Sequence, residues 1–427
     1  MVGIHAALLK TGKVLFYGFK WDAGREHADI GNSELFDAFA SGGPSFTATT
    51  WDTGSSSLPH PTLFCAGQSQ LPDGRLFVSG GDGTDRRSFH IFDPATSAWG
   101  ARHRLDEPNG VNPEPNGDGD PFNRWYPTTA TLANGAVFMI SGSKKGPLHN
   151  WDDHTETWQD VNNSWQVYTP GSSPALTPEQ FLPGNGWMFS PPQGPDDENS
   201  PSFQPIDLYP WVYLLPNGNL FVHSRTTSRI LSNPTQANPA WSTSFYQTVS
   251  RVPRTYPRQG SAVLLPLRPP DYKPQILITG GAGAKWPDPT GAATNTVEKL
   301  DLSAAAPAWA AVAPMNYPRV LQDAVLLPDG KVFVVCGSAC GGADDGIAPV
   351  LTPELYDPAA NTWTKLCPMR VPRGYHSTAL LLPDGRVMVA GKDGAYQTEP
   401  YHYLKSGLRS SARRACLRAA RSPRSPA

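Results

Sequence analysis

Apolar residues in this chain come in short unbroken runs rather than at helical spacing. Leu76-Phe77-Val78, Val137-Phe138-Met139-Ile140, Leu220-Phe221-Val222, Ile276-Leu277-Ile278, Val332-Phe333-Val334-Val335 and Val387-Met388-Val389 are the clearest. Runs too short for a helix and rich in β-branched and aromatic residues predict strands buried on both faces. Most follow the same polar turn: Leu71-Pro72-Asp73-Gly74, Leu327-Pro328-Asp329-Gly330 and Leu382-Pro383-Asp384-Gly385, with looser copies at Lys10–Lys13, Leu132–Gly135 and Leu215–Gly218. Asp-Gly or Asn-Gly between apolar runs predicts a tight hairpin, expected here as a type I′ turn with positive φ at both central residues.

A degenerate copy, Gln275–Gly281, keeps only the second strand and brings the hairpins to seven. Two copies close on Gly-Gly, at Gly80-Gly81 and Gly280-Gly281, a mark of close backbone approach, and several lead to an aspartate turn and a tryptophan, as in Asp93-Pro94 with Trp99 and Asp357-Pro358 with Trp363. Repeats at a pitch of roughly 55 to 85 residues, each with room for four strands, are blade-like. The expectation is an all-β fold, a seven-bladed kelch-type β-propeller over residues 1–404, followed by a basic disordered tail over 405–427 that holds seven basic residues and no acidic one.

Composition narrows the classes. The 427 residues include 45 prolines, 40 glycines and 13 tryptophans, which suits a turn-rich β protein. A net charge of −2 argues against nucleic acid or an anionic membrane as general partner, and no apolar run reaches the length of a membrane-spanning helix. Met1 leads almost directly into the first strand without a visible signal peptide. Five cysteines make no disulfide framework; a Cys336–Cys340 pair and two separate thiols are both open readings. No serine-hydrolase elbow or zincin helix is present.

Chemistry enters through a recurrent offset. Cys65, Tyr126 and His376 each stand nine positions before a hairpin glycine (74−65, 135−126, 385−376), with Tyr375 beside the last, and Tyr209 holds the same offset from Gly218. Equal offsets in equivalent repeats predict equivalent places, so these side chains are expected at one end of the repeat array. Taken singly, Cys65 reads as a buried hydrophobe, Tyr126 as a packing residue and Tyr375-His376 as ordinary strand residues.

Phe64-Cys65-Ala66-Gly67, Arg124-Trp125-Tyr126-Pro127-Thr128 and Arg373-Gly374-Tyr375-His376-Ser377, each before a hairpin, resemble the galactose oxidase and glyoxal oxidase family of copper-radical oxidases. The resemblance runs from about His5 to Tyr403. It implies a copper cofactor and a thioether bond from Cys65 to the ring of Tyr126, giving a phenolate that ligates the metal and holds a tyrosyl radical. It also implies Tyr375 as axial tyrosinate and base, and His376 as an imidazole ligand. A single copper(II) accepts one electron, so a two-electron oxidation needs the ligand radical to accept the other.

The departures matter too. The family's second histidine ligand lies in a β-sandwich domain after the propeller, outside this sequence, so turnover of this chain alone stands open; His402 is not at that position. Lys144 falls where the family has an indole over the modified tyrosine, leaving Trp125 or Trp151 to shield it. Leu208-Tyr209-Pro210 resembles the glyoxal oxidases, with Tyr209 at the substrate mouth, and implies a small aldehyde or primary alcohol oxidised by O2 to give H2O2. The family further implies a secreted or cell-envelope location. The alternative is a non-catalytic kelch propeller that binds a protein or glycan partner.

Overall fold

The computed structural model describes residues 4–19, 31–51, 61–82, 85–106, 122–144, 161–171, 174–182, 206–235, 239–256, 259–282, 292–339 and 348–391. Among them the fold is all-β, without a helix, and no helix is long and apolar enough to cross a membrane. The chain divides into two units, Met1–Phe245 and Tyr246–Ala427. His402, the 405–427 tail, Cys340 and Trp151 lie outside the described residues.

The hairpins form where expected, through a different turn. In the second repeat Gly74 N–H donates to Leu71 O (2.9 Å) and Leu71 N–H to Arg75 O (2.8 Å). Only the glycine is left-handed, at φ 85°, and its counterparts Gly12, Gly135, Gly218, Gly330 and Gly385 lie between 79° and 87°. The preceding acid is not left-handed, so the type I′ expectation is replaced by a three-residue loop ending in a left-handed glycine. Asp73 Oδ1 instead accepts the Arg75 N–H at 3.0 Å, and Asn134, Asn217, Asp329 and Asp384 do the same for the residue two ahead at 3.0–3.1 Å. That side-chain bond explains why the position is Asp or Asn.

Each hairpin supplies the first two strands of an antiparallel sheet. In the second sheet Gly67–Gln70 pairs Leu76–Ser79, which pairs Ser88–Asp93, which pairs Ala98–Trp99. Second strands are fully buried in Leu76–Ser79, Val137–Ile140 and Leu220–Ser224, as the unbroken apolar runs require. In the first unit the first strands of successive sheets lie side by side: Gln68 Nε2 donates to Ala6 O (2.9 Å), Ser69 Oγ bonds Thr129 Oγ1 (2.8 Å), and Thr128 Oγ1 donates to Pro210 O (2.6 Å). In the second unit Gln322 Nε2 reaches Thr279 O (2.9 Å) and Ser377 Oγ reaches Asp323 (2.8 Å). This is a β-propeller arrangement of blades.

Among the described residues six sheets are complete blades of four or more strands, and the expectation of seven is corrected. The seventh repeat contributes a two-stranded sheet, Ser377–Leu381 with Val387–Gly391. A hairpin needs only its local turn sequence, whereas a blade needs two further strands, so counting hairpins overstated the blades. The degenerate fifth repeat, conversely, builds a full four-stranded sheet from Ser261–Leu264 to Trp309–Val312.

Glycines at the ends of three second strands tie those blades to the next. Gly81, Gly281 and Gly337 donate their N–H groups to the carbonyls of Arg124, Arg319 and Arg373 at 3.2, 2.8 and 2.9 Å. At neighbouring Gly80 a Cβ would stand 2.1 Å from Arg124 O, so no other residue fits.

Candidate functional site

The nine-residue offset corresponds to one backbone state. Cys65, Tyr126, Tyr209 and His376 all have positive φ, at 66°, 63°, 47° and 61°. Leu321, nine before Gly330, shares it at 59°. The left-handed region costs a residue with a Cβ roughly 1–2 kcal/mol, and backbone hydrogen bonds hold it here. Tyr126 N–H donates to Cys65 O (2.9 Å), Tyr209 N–H to Tyr126 O (3.0 Å), and Leu321 N–H to Gln259 O (2.7 Å). Tyr126, Tyr209 and Leu321 thus rest on the preceding repeat.

In the first unit Cys65, Tyr126 and Tyr209 come together. Cys65 and Tyr126 are 1% and 3% exposed. The Tyr126 ring lies between two aromatic faces: Trp125 at 3.8 Å with 16° between planes, and Tyr209 at 4.5 Å with 23°. Trp125 is fixed by paired backbone bonds with Ser143 (3.0 and 2.6 Å), and the Tyr209 hydroxyl reaches back to Ala66 O (3.1 Å). Of the two tryptophans considered as a shield for Tyr126, Trp125 stacks on its ring and Trp151 lies outside the described residues; Lys144 offers its carbonyl to Asn123 Nδ2 (2.7 Å).

His5, which carried no ligand spacing, accepts the Cys65 N–H on Nε2 at 3.0 Å and stacks on Tyr17 (4.9 Å, 11°). An acceptor Nε2 makes it a neutral imidazole with its proton on Nδ1.

Tyr375 and His376 lie in the second unit, their rings stacked at 3.7 Å. Tyr375 packs on a buried apolar cluster of Ala282, Ala293, Val320 and Leu321. Its hydroxyl lies 3.4 Å from that of Tyr256, a buried tyrosine that the hairpin offset does not reach.

A second register does reach it. Arg124, Arg254, Arg319 and Arg373 stand two residues before Tyr126, Tyr256, Leu321 and Tyr375. Each donates Nη1–H to a carbonyl at the end of its own blade's second strand: Ser141, Gly280, Cys336 and Gly391. The first three also pair with a buried acid, Glu179 (3.4 Å), Glu298 (2.9 Å) and Glu354 (3.1 Å). Burial lowers the Arg124 pKa to about 10, opposed by the Glu179 charge. The Arg-Xaa-Tyr spacing was the sequence signal for these clamps and for Tyr256.

One further acid stands near the second group. Asp323 accepts from Ser377 Oγ, next in the chain to His376, and from the buried free thiol of Cys336. Burial raises its pKa from 3.8 to about 6, against the lowering by those two bonds, and burial raises the Cys336 thiol as well. A carboxyl with a raised native pKa holds its proton in the folded state while the unfolded chain has lost it, so stability falls as pH rises from about 4 to about 6. The contribution is about 3 kcal/mol at about 1.4 kcal/mol per unit. Asp323→Asn should remove that part of the decline, seen as a smaller loss of denaturant stability than the parent between about pH 4 and pH 7; parallel curves would mean the carboxyl is ionised throughout. Among the described residues no cluster of three or more His, Cys, Asp or Glu side chains forms a metal cage.

With this geometry in hand, likeness to known proteins becomes specific. Residues 198–406 match the family model described as glyoxal oxidase N-terminus. In sequence the chain is similar to galactose and glyoxal oxidases. An aldehyde oxidase of Vitis pseudoreticulata is 29% identical over 350 residues, covering 78% of this chain and 56% of its own length. Galactose oxidase of Gibberella zeae is 26% identical over 370 residues, covering 83% of this chain and 47% of its own. The chain thus spans about half the length of these oxidases. A fungal alcohol oxidase of the AA5 family, solved in complex with copper, shares the fold with TM-score 0.62 at 21% identity, over 92% of this chain and 70% of its own.

Proposed function

We propose that this chain is the propeller part of a copper-radical oxidase that converts a small aldehyde or primary alcohol with O2 to the oxidised product and H2O2. The observation that carries the reading is the Tyr126 ring, buried between Trp125 and Tyr209 and backbone-bonded to Cys65. A phenol destined only for packing needs no thiol-bearing residue in the matching position of the previous repeat.

The donors implied by the family likeness are Tyr126 in the first unit and Tyr375 and His376 in the second. Phenol oxygens and an imidazole nitrogen fit copper(II), which favours N and O donors in tetragonal geometry. When bound, copper supplies one-electron acceptance and Lewis acidity, and the Tyr126 ring, joined to Cys65 sulfur, accepts the second electron.

The protein's residues do the rest. Tyr375 Oη takes the substrate hydroxyl proton, and the apolar cluster behind its ring keeps water from that side. Trp125 covers one face of Tyr126 and keeps solvent oxidants and reductants from a delocalised electron hole. Tyr209 covers the other face, with Pro210 following it, and the likeness of Leu208-Tyr209-Pro210 to the glyoxal oxidases favours a small aldehyde or alcohol over a sugar. The reaction balances as alcohol plus O2 giving aldehyde plus H2O2, or aldehyde hydrate plus O2 giving acid plus H2O2.

The test is mass spectrometry of protein purified without copper, before and after aerobic incubation with it. A copper-dependent loss of two hydrogens, mapped to the Cys65 and Tyr126 peptides, and peroxide release with small aldehydes are the expected results. An unchanged mass, with no peroxide from any aldehyde or alcohol, would overturn the reading in favour of a binding propeller.

A further inference from the structure

The Arg-Xaa-Tyr spacing recurs at three phenols, Tyr126, Tyr256 and Tyr375, although Tyr126 shares its left-handed backbone with His376 rather than with Tyr375. The first and third are the candidate ligands; Tyr256 has no assigned part. It sits in a loop after Arg254 that is closed by Gly260 N–H donating to Arg254 O at 2.8 Å. Arg254 itself is buried and held by Gly280 O, Thr296 O (3.2 Å), Thr296 Oγ1 (2.9 Å), Ser250 Oγ (3.0 Å) and Glu298 (2.9 Å). Tyr256 is 3% exposed and so projects from a rigid base.

Its hydroxyl lies 3.4 Å from that of Tyr375, with ring centroids 6.3 Å apart and 32° between planes. Two neutral phenols at that separation are beyond the ideal O–H···O distance of about 2.7–2.8 Å. Hydrogen bonds to a charged oxygen shorten, and contacts of catalytic groups are commonly long in the unliganded state. The Tyr375 ring is constrained on two other sides, by the Ala282–Leu321 cluster and by His376. Neither constraint addresses the oxygen. The Tyr256 hydroxyl does.

We infer that Tyr256 is a positioning residue whose hydroxyl pairs with Tyr375 Oη, accepting from it while both phenols are neutral and donating to it once Tyr375 is deprotonated, and so fixes the direction in which that oxygen presents itself. The consequence for chemistry rests on the reading of Tyr375 as ligand and base; the pairing of the hydroxyls does not.

Metal-free protein carrying ¹³Cζ-tyrosine tests the pairing directly. The signal lost in Tyr375→Phe assigns Tyr375, and Tyr256→Phe should move it while the melting temperature stays within a degree or so, since one buried hydroxyl is removed at constant shape. Copper(II) titration then reads the consequence. A phenolate-to-copper absorption band that depends on Tyr375 should shift to lower energy in Tyr256→Phe, because an oxygen that loses a donor gives up its electron more readily. An unmoved ¹³Cζ signal and an unmoved band overturn the inference. If the signal moves but the parent protein gains no Tyr375-dependent band, the hydrogen bond stands and the oxidase reading fails instead.

Discussion

Arg319→Met is expected to destabilise the second unit by about 3–5 kcal/mol, the cost of leaving a buried partner charge uncompensated. Arg319 and Glu354 are both fully buried, 3.1 Å apart, and both terminal nitrogens of the guanidinium and both carboxylate oxygens are engaged. Arg319 donates to Cys336 O (2.8 Å) and to Thr352 O, while Glu354 also accepts Asn316 N–H (2.6 Å) and Asn316 Nδ2 (2.7 Å). Methionine fills the volume but strands two carbonyls and a carboxylate. Set against a typical domain stability of about 5–15 kcal/mol, the loss is a large fraction. The double variant Arg319→Met/Glu354→Leu should recover part of it, because the lone charge is gone although the carbonyls remain unpaired. Denaturant unfolding gives the numbers, with Arg75→Met as a control, its exposed pair with Asp73 being worth little. A loss under about 1 kcal/mol would mean that water replaces the guanidinium and that the clamp is not structural.

Cys65→Ser should abolish both the copper-dependent loss of two hydrogens and peroxide formation, with stability nearly unchanged. The substitution removes the sulfur proposed to form the thioether with Tyr126 but keeps a small side chain in the same left-handed position, its carbonyl still accepting from Tyr126 N–H. Without sulfur on the ring, the phenol is harder to oxidise, and copper alone cannot take two electrons from one substrate molecule. Peroxide release should therefore fall to that of copper-free protein. Mass spectrometry and a coupled peroxide assay on matched preparations check it. Turnover retained in Cys65→Ser, or a crosslink mapped elsewhere, would remove Cys65 from the chemistry.

The inner architecture was readable because its determinants are local. A glycine nine residues past Cys65, Tyr126, Tyr209 or His376 located one backbone state correctly in four repeats, and Leu321 shows that the state exists without chemistry attached. The turn type was misjudged because Asp-Gly occurs in two kinds of hairpin, and the choice is made by a bond from Asp73 Oδ1 to Arg75 N that composition does not reveal. The clamps were missed for the opposite reason. Their arginines recur at fixed spacing, but the acids follow 55, 44 and 35 residues later, on strands whose distance in sequence varies with loop length. The partnership of Tyr256 with Tyr375, 119 residues apart, is likewise a product of blade packing.

Cys65, Tyr126, Tyr209, Leu321 and His376 share one left-handed backbone state, and at Tyr126, Tyr209 and Leu321 it is held by main-chain bonds that make no reference to what the side chain is. Architecture and reactivity are therefore written in separate parts of the same segment. A thiol, a phenol, an imidazole or an isobutyl group can occupy that address at similar conformational expense, so drift from catalyst to inert scaffold takes one codon and leaves the melting curve where it was. Folding assays are blind to that loss, and intact blades in a related chain say nothing of whether it still turns over substrate.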